Sequence, residues 1–172
     1  MSDFYDWLKK QKTNEHGSRM LTGIDFLDRS LHLTAGTIVV CHGRSESHKT
    51  TLSSIIAMHA LRDGHQVLYV AKDEGIASFT RRLRRFVTPE LAERLYLPDP
   101  SAFSSMSKVF AQYDSRADKA TSTLIIVDSL QSFYTENSSS DGRHSTISIE
   151  AQAVRDWIVG KNAVFFATSE ET

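Results

Sequence analysis

Four apolar runs in this sequence are continuous rather than alternating in hydrophobicity. Continuous runs are typical of strands covered on both faces, because alternation appears where one face meets water. Stretches with apolar residues three or four apart, as in amphipathic helices, lie between them. The runs are residues 38–41, 67–71, 124–127 and 163–167, and the helical stretches are residues 50–62, 76–86, 102–113 and 147–159. A short strand at residues 94–97 is expected to add an edge or an extra ladder position. This order predicts an α/β fold of three layers, with a mainly parallel central sheet between helices.

The length of the chain, 172 residues, fits one domain with a single core. We therefore interpret residues 21–172 as one α/β domain. Residues 1–20 are predicted to hold a short amphipathic helix, at residues 2–12, and a polar linker. The apolar face of that helix would be formed by Phe4, Trp7 and Leu8.

Charge gives no general argument for nucleic acid binding. The sequence has 20 lysines and arginines against 21 aspartates and glutamates, so attraction of phosphates requires a local basic patch. The strongest such cluster lies on the helix predicted at residues 76–86 and consists of Arg81, Arg82, Arg84 and Arg85. Two interpretations stay open: a solvated helix face, or a contact with a phosphate or with a neighbouring subunit.

The single cysteine, Cys41, lies inside an apolar run. We interpret it as a small core residue in a reducing compartment. The seven histidines show no paired-ligand spacing, so no structural metal is expected. The N-terminus has two acids where a signal peptide needs an apolar stretch, and no run is as long as a membrane span. These features predict a cytoplasmic protein, or a nuclear one if it is eukaryotic, without a membrane partner.

The first strand is followed by a segment typical of a phosphate-binding loop. The segment runs directly into a helix, so backbone N–H groups and a helix N-terminus would converge on a polyphosphate. Lys49 would reach the β- and γ-phosphates, and Thr50 would hold Mg²⁺. The residues predicted to contact the nucleotide are Gly43, Arg44, Ser45, Glu46, Ser47, His48, Lys49, Thr50 and Thr51.

One position of this loop departs from the usual pattern G-x-x-x-x-G-K-[ST]. His48 stands where the second glycine is expected. Glycine allows the backbone to approach the phosphates and to adopt dihedral angles that a side chain penalises. The sequence therefore predicts impaired nucleotide binding or hydrolysis if the histidine obstructs the loop.

Acidic residues follow two other predicted strands at the same edge of the sheet. Asp128 ends the run at residues 124–127, which suits a ligand of Mg²⁺; the alternative is a simple turn after the strand. Asp73 and Glu74 follow the run at residues 67–71. One of them could polarise the attacking water, and we favour Glu74 as the catalytic carboxylate beside Lys49. The alternative is that both are acids favoured at a helix N-terminus.

Together these segments resemble the RecA, RadA, KaiC and DnaB group of P-loop ATPases. The resemblance is densest from Leu21 to Thr51, where Thr22-Gly23-Ile24-Asp25-Phe26-Leu27-Asp28 is similar to the TGxxxLD segment before the phosphate strand. It continues through residues 67–74, where the strand ends in a catalytic glutamate in the family, through residues 124–129, and through residues 163–170, where Thr168 or Ser169 would be the polar sensor.

The resemblance implies a RecA-like P-loop NTPase core that binds ATP and Mg²⁺ and acts in DNA recombination, repair or replication. It also implies a DNA partner, single-stranded rather than double-stranded, and a homo-oligomer or a complex with related subunits. Residues 135–145 occupy the place of the family's first DNA-binding loop, although a polar connection explains them equally well. Residues 128–134 are similar to those of divergent recombinase paralogues.

Two other functions are compatible with the same motifs. The core could serve as a non-catalytic interaction scaffold. His48 and the end of the chain soon after Thr168 favour this function, whereas Lys49, Thr50 and Asp128 oppose it. It could also be a KaiC-like regulatory ATPase with no nucleic acid partner, which the near-zero net charge permits.

Overall fold

The computed structural model describes residues 19–118, 121–133 and 140–170, and of residues 140–148 it describes only the backbone. The predicted helix at residues 2–12 and its linker up to residue 18 lie outside the described residues. The same holds for residues 135–139 of the loop predicted at residues 135–145, including Asn137, and for the side chains of Arg143 and His144. The prediction of a loop was wrong for residues 140–145, because the backbone there already belongs to the helix Ser140–Ile158.

Strands and helices alternate as the hydrophobic pattern predicts. The strands are β1 (Ile38–Gly43), β2 (Gln66–Ala71), β3 (Leu95–Tyr96), β4 (Thr123–Asp128) and β5 (Ala163–Glu170). The α-helices are α1 (Asp25–Ser30), α2 (Lys49–Arg62), α3 (Ile76–Leu83), α4 (Pro89–Ala92), α5 (Met106–Asp114) and α6 (Ser140–Ile158), with 3-10 turns at Pro100–Ala102 and Leu130–Phe133. The helix predicted at residues 102–113 begins later, because Ser105 caps α5 by accepting a hydrogen bond from the Lys108 N–H.

The five described strands form one parallel sheet in the order β1-β5-β4-β2-β3. The predicted α/β fold with a parallel sheet is therefore confirmed, and β3 takes an edge position, one of the two positions expected for it. Because all strands run in the same direction, their carboxyl ends meet at one edge of the sheet. That edge carries the loop after β1, the acids after β2, Asp128 on β4 and the polar end of β5.

Helices cover both faces of the sheet, so the domain has three layers. On one face, α2 and α3 pack on the sheet through Ile56, Leu61, Phe79 and Leu83, against strand residues Val67, Tyr69, Leu124, Ile126 and Phe166. On the other face, α5 and α6 pack through Met106, Phe110, Val154 and Ile158, against Leu68, Val70, Ile125, Val127 and Phe165. Successive strand residues thus enter opposite cores, which explains the continuous apolar runs.

The first strand is less covered than its sequence predicts. Ile38 and Val40 are 47% and 50% exposed, so the expectation that this run is covered on both faces was wrong for β1. The physical reason is the strand order, which places β1 at an edge of the described sheet, beside rather than beneath α6. Cys41 is only partly buried, although it packs against the core on the α2 side.

The Thr22-Gly23 segment forms a turn that fixes the start of α1. The Thr22 N–H and hydroxyl both donate to Asp28 Oδ1 at 2.7 Å, and the Gly23 N–H donates to Oδ2 at 3.1 Å. Although desolvation acts to raise the pKa of Asp28, these bonds together hold it below its usual value. A Cβ at Gly23 would lie 2.1 Å from the His59 ring, so a glycine is required where this turn meets α2.

Candidate nucleotide-binding site

The loop between β1 and α2 contains two side-chain-bearing residues in the left-handed conformation. Glu46 and His48 both have φ of 62°, a region that most L-residues avoid at a cost of about 1–2 kcal/mol. His48 is the residue before α2 and has ψ of 21°, and no side chain caps that helix. The histidine therefore adopts a glycine-type conformation, and its side chain accepts no hydrogen bond from the first N–H groups of α2.

Lys49, the first residue of α2, turns back into the loop. Its Nζ donates to the carbonyl oxygens of Gly43 at 2.8 Å and Arg44 at 2.6 Å, and it lies 3.8 Å from Oε1 of Glu170 on β5. The lysine is only 8% exposed. An ammonium group is thus held inside the loop, beside the N-terminus of α2, where a bound anion would meet both.

A cleft of about 320 Å³ opens beside this lysine. It brings together residues that are distant in the sequence and come from four strand ends. Its lining residues are Glu46, Ser47, His48, Lys49, Thr50, Asp73, Glu74, Asp128, Ser129 and Glu170. Gly43 and Arg44 reach the site through their carbonyl groups, whereas Ser45 is an exposed loop residue and Thr51 faces a separate groove outside α2.

Asp128 lies at the carboxyl end of β4 and is 7% exposed. The Thr168 hydroxyl donates to its Oδ1 at 2.5 Å, and the Tyr69 hydroxyl donates to Oδ2 at 3.3 Å. Burial, and secondarily the charge of Asp128, raise the pKa of Tyr69 above its ordinary value, so this phenol stays a neutral donor. The bonds hold the carboxylate in one orientation at the cleft, next to the cis peptide bond between Asp128 and Ser129.

Oxygen ligands for a magnesium ion are present in this cleft. Mg²⁺ prefers oxygen and is usually held by one or two carboxylates together with substrate phosphates and water, rather than by an all-protein cage. Asp128 and Thr50 line the cleft together and offer a carboxylate and a hydroxyl. Across the described part of the chain, no group of three or more histidine, cysteine or acidic residues forms a cage. This donor set fits a magnesium ion that arrives with a polyphosphate.

The two acids that follow β2 have different surroundings. Asp73 Oδ2 accepts hydrogen bonds from the Ser129 N–H at 3.2 Å and the Ser129 hydroxyl at 2.5 Å, and Oδ1 accepts one from the Ser132 hydroxyl. These bonds tie the end of β2 to the turn after β4. Asp73 is therefore a structural acceptor, and its oxygens are already used by protein donors.

Glu74 is the other acid, and its side chain is directed to α3. Its Oε1 accepts a hydrogen bond from the Ser78 hydroxyl at 3.1 Å, and its Oε2 lies 2.6 Å from Nη2 of Arg82. The contact with Arg82 is an ion pair without an aligned hydrogen bond. Arg82 thus differs from Arg81, Arg84 and Arg85, whose side chains are exposed. For these three residues both interpretations stay open, a solvated face or a contact with a phosphate or with a neighbouring subunit.

Several residues of the site were not identified from the sequence. Ser129 and Glu170 line the cleft, and Tyr69 positions Asp128 from inside the core. For Ser129 and Glu170, the available signal in the sequence was their position at the ends of predicted strands. Tyr69 lies inside a strand, where the sequence gives no such signal. Of the two candidates for a polar sensor, Thr168 contacts Asp128, whereas Ser169 accepts a hydrogen bond from Gln131.

Comparison with known proteins identifies the fold. No protein-family model and no curated protein matches this chain. Solved structures do match: one, described as an ATPase domain, has a TM-score of 0.71 at 14% identity, covering 99% of this chain and 70% of that chain. A DnaB-like replicative helicase, described with its interactions with primase, has a TM-score of 0.69 at 14% identity, covering 97% of this chain and 46% of that chain.

The chain therefore has the RecA-like fold of P-loop ATPase domains, as the resemblance of its motifs implied. It spans less than half the length of the DnaB-like helicase chain. Among the described residues, no helix is long and apolar enough to cross a membrane.

Proposed function

We propose that this chain binds ATP together with Mg²⁺ and hydrolyses it as part of an assembly that acts on DNA, in replication, recombination or repair. The observation that supports this most is the position of Lys49. Its ammonium group is buried inside the loop after β1, in the same cleft as Thr50, Glu74 and Asp128. A cation, a helix N-terminus and oxygen ligands in one cleft are the elements that phosphoryl transfer requires.

Each residue then has a defined role. Lys49 and the N–H groups of the loop bind the phosphates, and Lys49 exchanges the carbonyl groups of Gly43 and Arg44 for phosphate oxygens. Thr50 and Asp128 bind the magnesium ion, which would neutralise charge that develops on the phosphate oxygens. Glu74 accepts a proton from the attacking water. The loop residues from Gly43 to Thr50 form the nucleotide-binding segment. Thr51, which the sequence also predicted to contact the nucleotide, faces the groove outside α2 instead.

The DNA partner is supported by the solved structures of similar fold. One of them is a replicative helicase described with primase, and on this chain Arg81, Arg84 and Arg85 form an exposed basic group that could contact phosphates. We propose single-stranded DNA as the partner, and an oligomer or a complex with related subunits as the working form. Retention on single-stranded DNA should then fall steeply as the salt concentration rises.

His48 favours a second function, that of a non-catalytic interaction scaffold. Its side chain is exposed in the loop and lines the cleft, at the point where phosphates would approach the backbone. A KaiC-like regulatory ATPase is the third candidate, and it predicts ATP hydrolysis without retention on DNA.

The test is an equilibrium titration of a fluorescent ATP analogue, with and without Mg²⁺. Lys49→Ala is compared with Lys108→Ala, which removes an exposed lysine on α5, away from the cleft. We expect Mg²⁺-dependent binding by the unmodified protein and by Lys108→Ala. Lys49→Ala should bind about 100-fold more weakly, because a charge-assisted hydrogen bond contributes about 1.5–3 kcal/mol and more than one bond is lost.

The variant His48→Gly separates the first two functions. If the unmodified protein and His48→Gly both bind, the loop works and hydrolysis is measured next. If only His48→Gly binds, the protein is a scaffold with an inactive loop. If neither binds, nucleotide binding is ruled out as the function of this cleft.

A further inference from the structure

The carboxylate proposed as the catalytic base is occupied on both of its oxygens. Ser78 donates to Oε1 of Glu74 at 3.1 Å, and Nη2 of Arg82 lies 2.6 Å from Oε2. Both partners belong to α3, one and two turns after Glu74. Glu74 lines the cleft, yet its oxygens contact this helix rather than being open to a water molecule at a bound phosphate.

Arg82 also contacts a second cavity. A groove of about 430 Å³ lies outside α2 and is lined by Ile55, Met58, Leu83, Phe86 and Arg82, among other residues. The guanidinium lies 5.6 Å from the centre of the Phe79 ring, and its Nε and Nη2 atoms are buried without a hydrogen-bond acceptor. Arg82 therefore lies between the groove and the cleft. Among the described residues, the carboxylate of Glu74 is the main group that compensates the positive charge of Arg82.

We propose that Arg82 is a positioning residue that restrains Glu74, and that separation of this ion pair releases the carboxylate for catalysis. The inference rests on the proposed function for the role of Glu74 as the base, while the restraint itself rests on the contacts alone. A contact ion pair competes with the attacking water for the same carboxylate oxygen. The resting protein is therefore a slow enzyme, and loss of the Arg82 charge raises turnover.

The other arginines of the cluster provide matched controls. Arg81 precedes Arg82 on the same helix, carries the same charge, and is exposed. Arg81→Ala changes net charge and helix composition as Arg82→Ala does, but it leaves the contact with Glu74 in place. Arg82→Lys keeps a cation within reach of Oε2, and one nitrogen is enough because the observed contact involves Nη2 alone.

The restraint is measured first without nucleotide, by carbodiimide-mediated coupling of an amine to carboxylates followed by mass spectrometry. Glu93, which is exposed, is the internal reference. We expect labelling of Glu74 relative to Glu93 to rise about threefold or more in Arg82→Ala, the range for a partly exposed ion pair. It should stay at the unmodified level in Arg81→Ala and Arg82→Lys. Equal labelling of Glu74 in all four proteins overturns the restraint.

Turnover is measured next, on the same four proteins. Arg82→Ala should raise the kcat for ATP hydrolysis about threefold or more with little change in KM, because Arg82 does not line the nucleotide cleft. Arg82→Lys should restore the unmodified kcat. A lower kcat in Arg82→Ala, with Glu74 more readily labelled, overturns the proposal, because Arg82 then assists the base. An unchanged kcat in Arg82→Ala, again with Glu74 more readily labelled, also overturns the proposal.

Failure of the proposed function is recognised separately. If no variant binds the fluorescent ATP analogue, ATP is not the ligand, while the labelling result still decides whether Arg82 restrains Glu74. If ATP binds and turnover is absent in every variant including Arg82→Ala, the release of Glu74 is not what limits hydrolysis, and the proposal is wrong.

Discussion

The hydroxyl of Thr168 donates a hydrogen bond of 2.5 Å to Oδ1 of Asp128. Thr168 is fully buried on β5, and Asp128 ends the neighbouring strand β4. A short hydrogen bond to an ionised acceptor is stronger than one between neutral groups. The bond thus joins two adjacent strands at the edge of the sheet where the candidate site lies.

Removal of this bond should destabilise the protein. In Thr168→Val the shape of the side chain is kept but the donor is lost, so we expect the free energy of unfolding to fall by about 1–3 kcal/mol. Thr121→Val is the matched control, because it removes an exposed threonine-aspartate hydrogen bond of 2.8 Å to Asp118 and should cost only about 0.5 kcal/mol. Urea denaturation measures both. Equal losses in the two variants would contradict the structural role of the buried bond.

Replacement of His48 by glycine should relieve backbone strain. The φ of 62° at this residue suits glycine better than histidine. After allowance for the greater freedom of glycine in the unfolded chain, we expect a gain of about 0.5 kcal/mol in the free energy of unfolding. Glu46→Gly is the control, since Glu46 has the same φ. If nucleotide affinity rises in His48→Gly but not in Glu46→Gly, the imidazole is the obstacle; equal rises assign the effect to the backbone.

The two acids after β2 should respond differently to substitution by amides. Asp73→Asn replaces an acceptor of three protein donors by a group that is itself a donor, so a loss of about 1–3 kcal/mol in stability is expected. Glu74→Gln should lower stability by about 1 kcal/mol or less, because its ion pair with Arg82 is partly exposed, and should lower kcat by about 100-fold or more. Denaturation and steady-state kinetics are measured on both variants. A loss of kcat in Asp73→Asn at unchanged stability would assign the base to Asp73 instead.

The free energy of unfolding should also decrease at alkaline pH, partly because of the buried phenol of Tyr69. Burial raises the pKa of this phenol in the folded protein, so its neutral form is favoured there. The resulting stabilisation is complete below the pKa of an unfolded tyrosine, about 10, and is lost as the pH rises above it. We expect Tyr69→Phe to reduce the fall in stability above that pH by at most about 1.4 kcal/mol per pH unit.

A second tyrosine contributes to the same decrease. Burial also raises the pKa of Tyr113, so the double variant Tyr69→Phe/Tyr113→Phe should lose more of the alkaline dependence than Tyr69→Phe does. Urea denaturation at pH values on either side of the tyrosine pKa, about 10, measures the effect. An unchanged slope in both variants would show that other groups control alkaline unfolding.

Features with a local cause could be predicted from the sequence. Four of the five described strands have their own apolar run, and Asp128 directly follows one of them. The left-handed conformation at His48 also follows from its place in the loop pattern, because the chain must turn there before α2 begins. These features depend on residues that are close along the chain.

Features that depend on strand order could not be predicted in this way. The apolar run of β1 is similar in sequence to the runs of the central strands. Its exposure, however, is decided by the position of β1 at the edge of the described sheet. The Tyr69 contact with Asp128 joins residues 59 positions apart, and a buried tyrosine in a strand gives no sign of its partner. The Glu74 contact with Arg82 was hidden for another reason, since four arginines within five positions look alike until the helix that carries Arg81 and Arg82 is oriented.

The hydrogen bonds around Asp128 connect more than a ligand site. Ser53 on α2 bonds Tyr69 on β2 at 2.8 Å, Tyr69 bonds Asp128 on β4, and Asp128 bonds Thr168 on β5. Replacement of Asp128 therefore loosens three strands and a helix at once. In a living cell such a variant would be depleted by chaperones and proteases, so its low abundance, rather than a lost metal ion, would dominate the phenotype of any genetic screen.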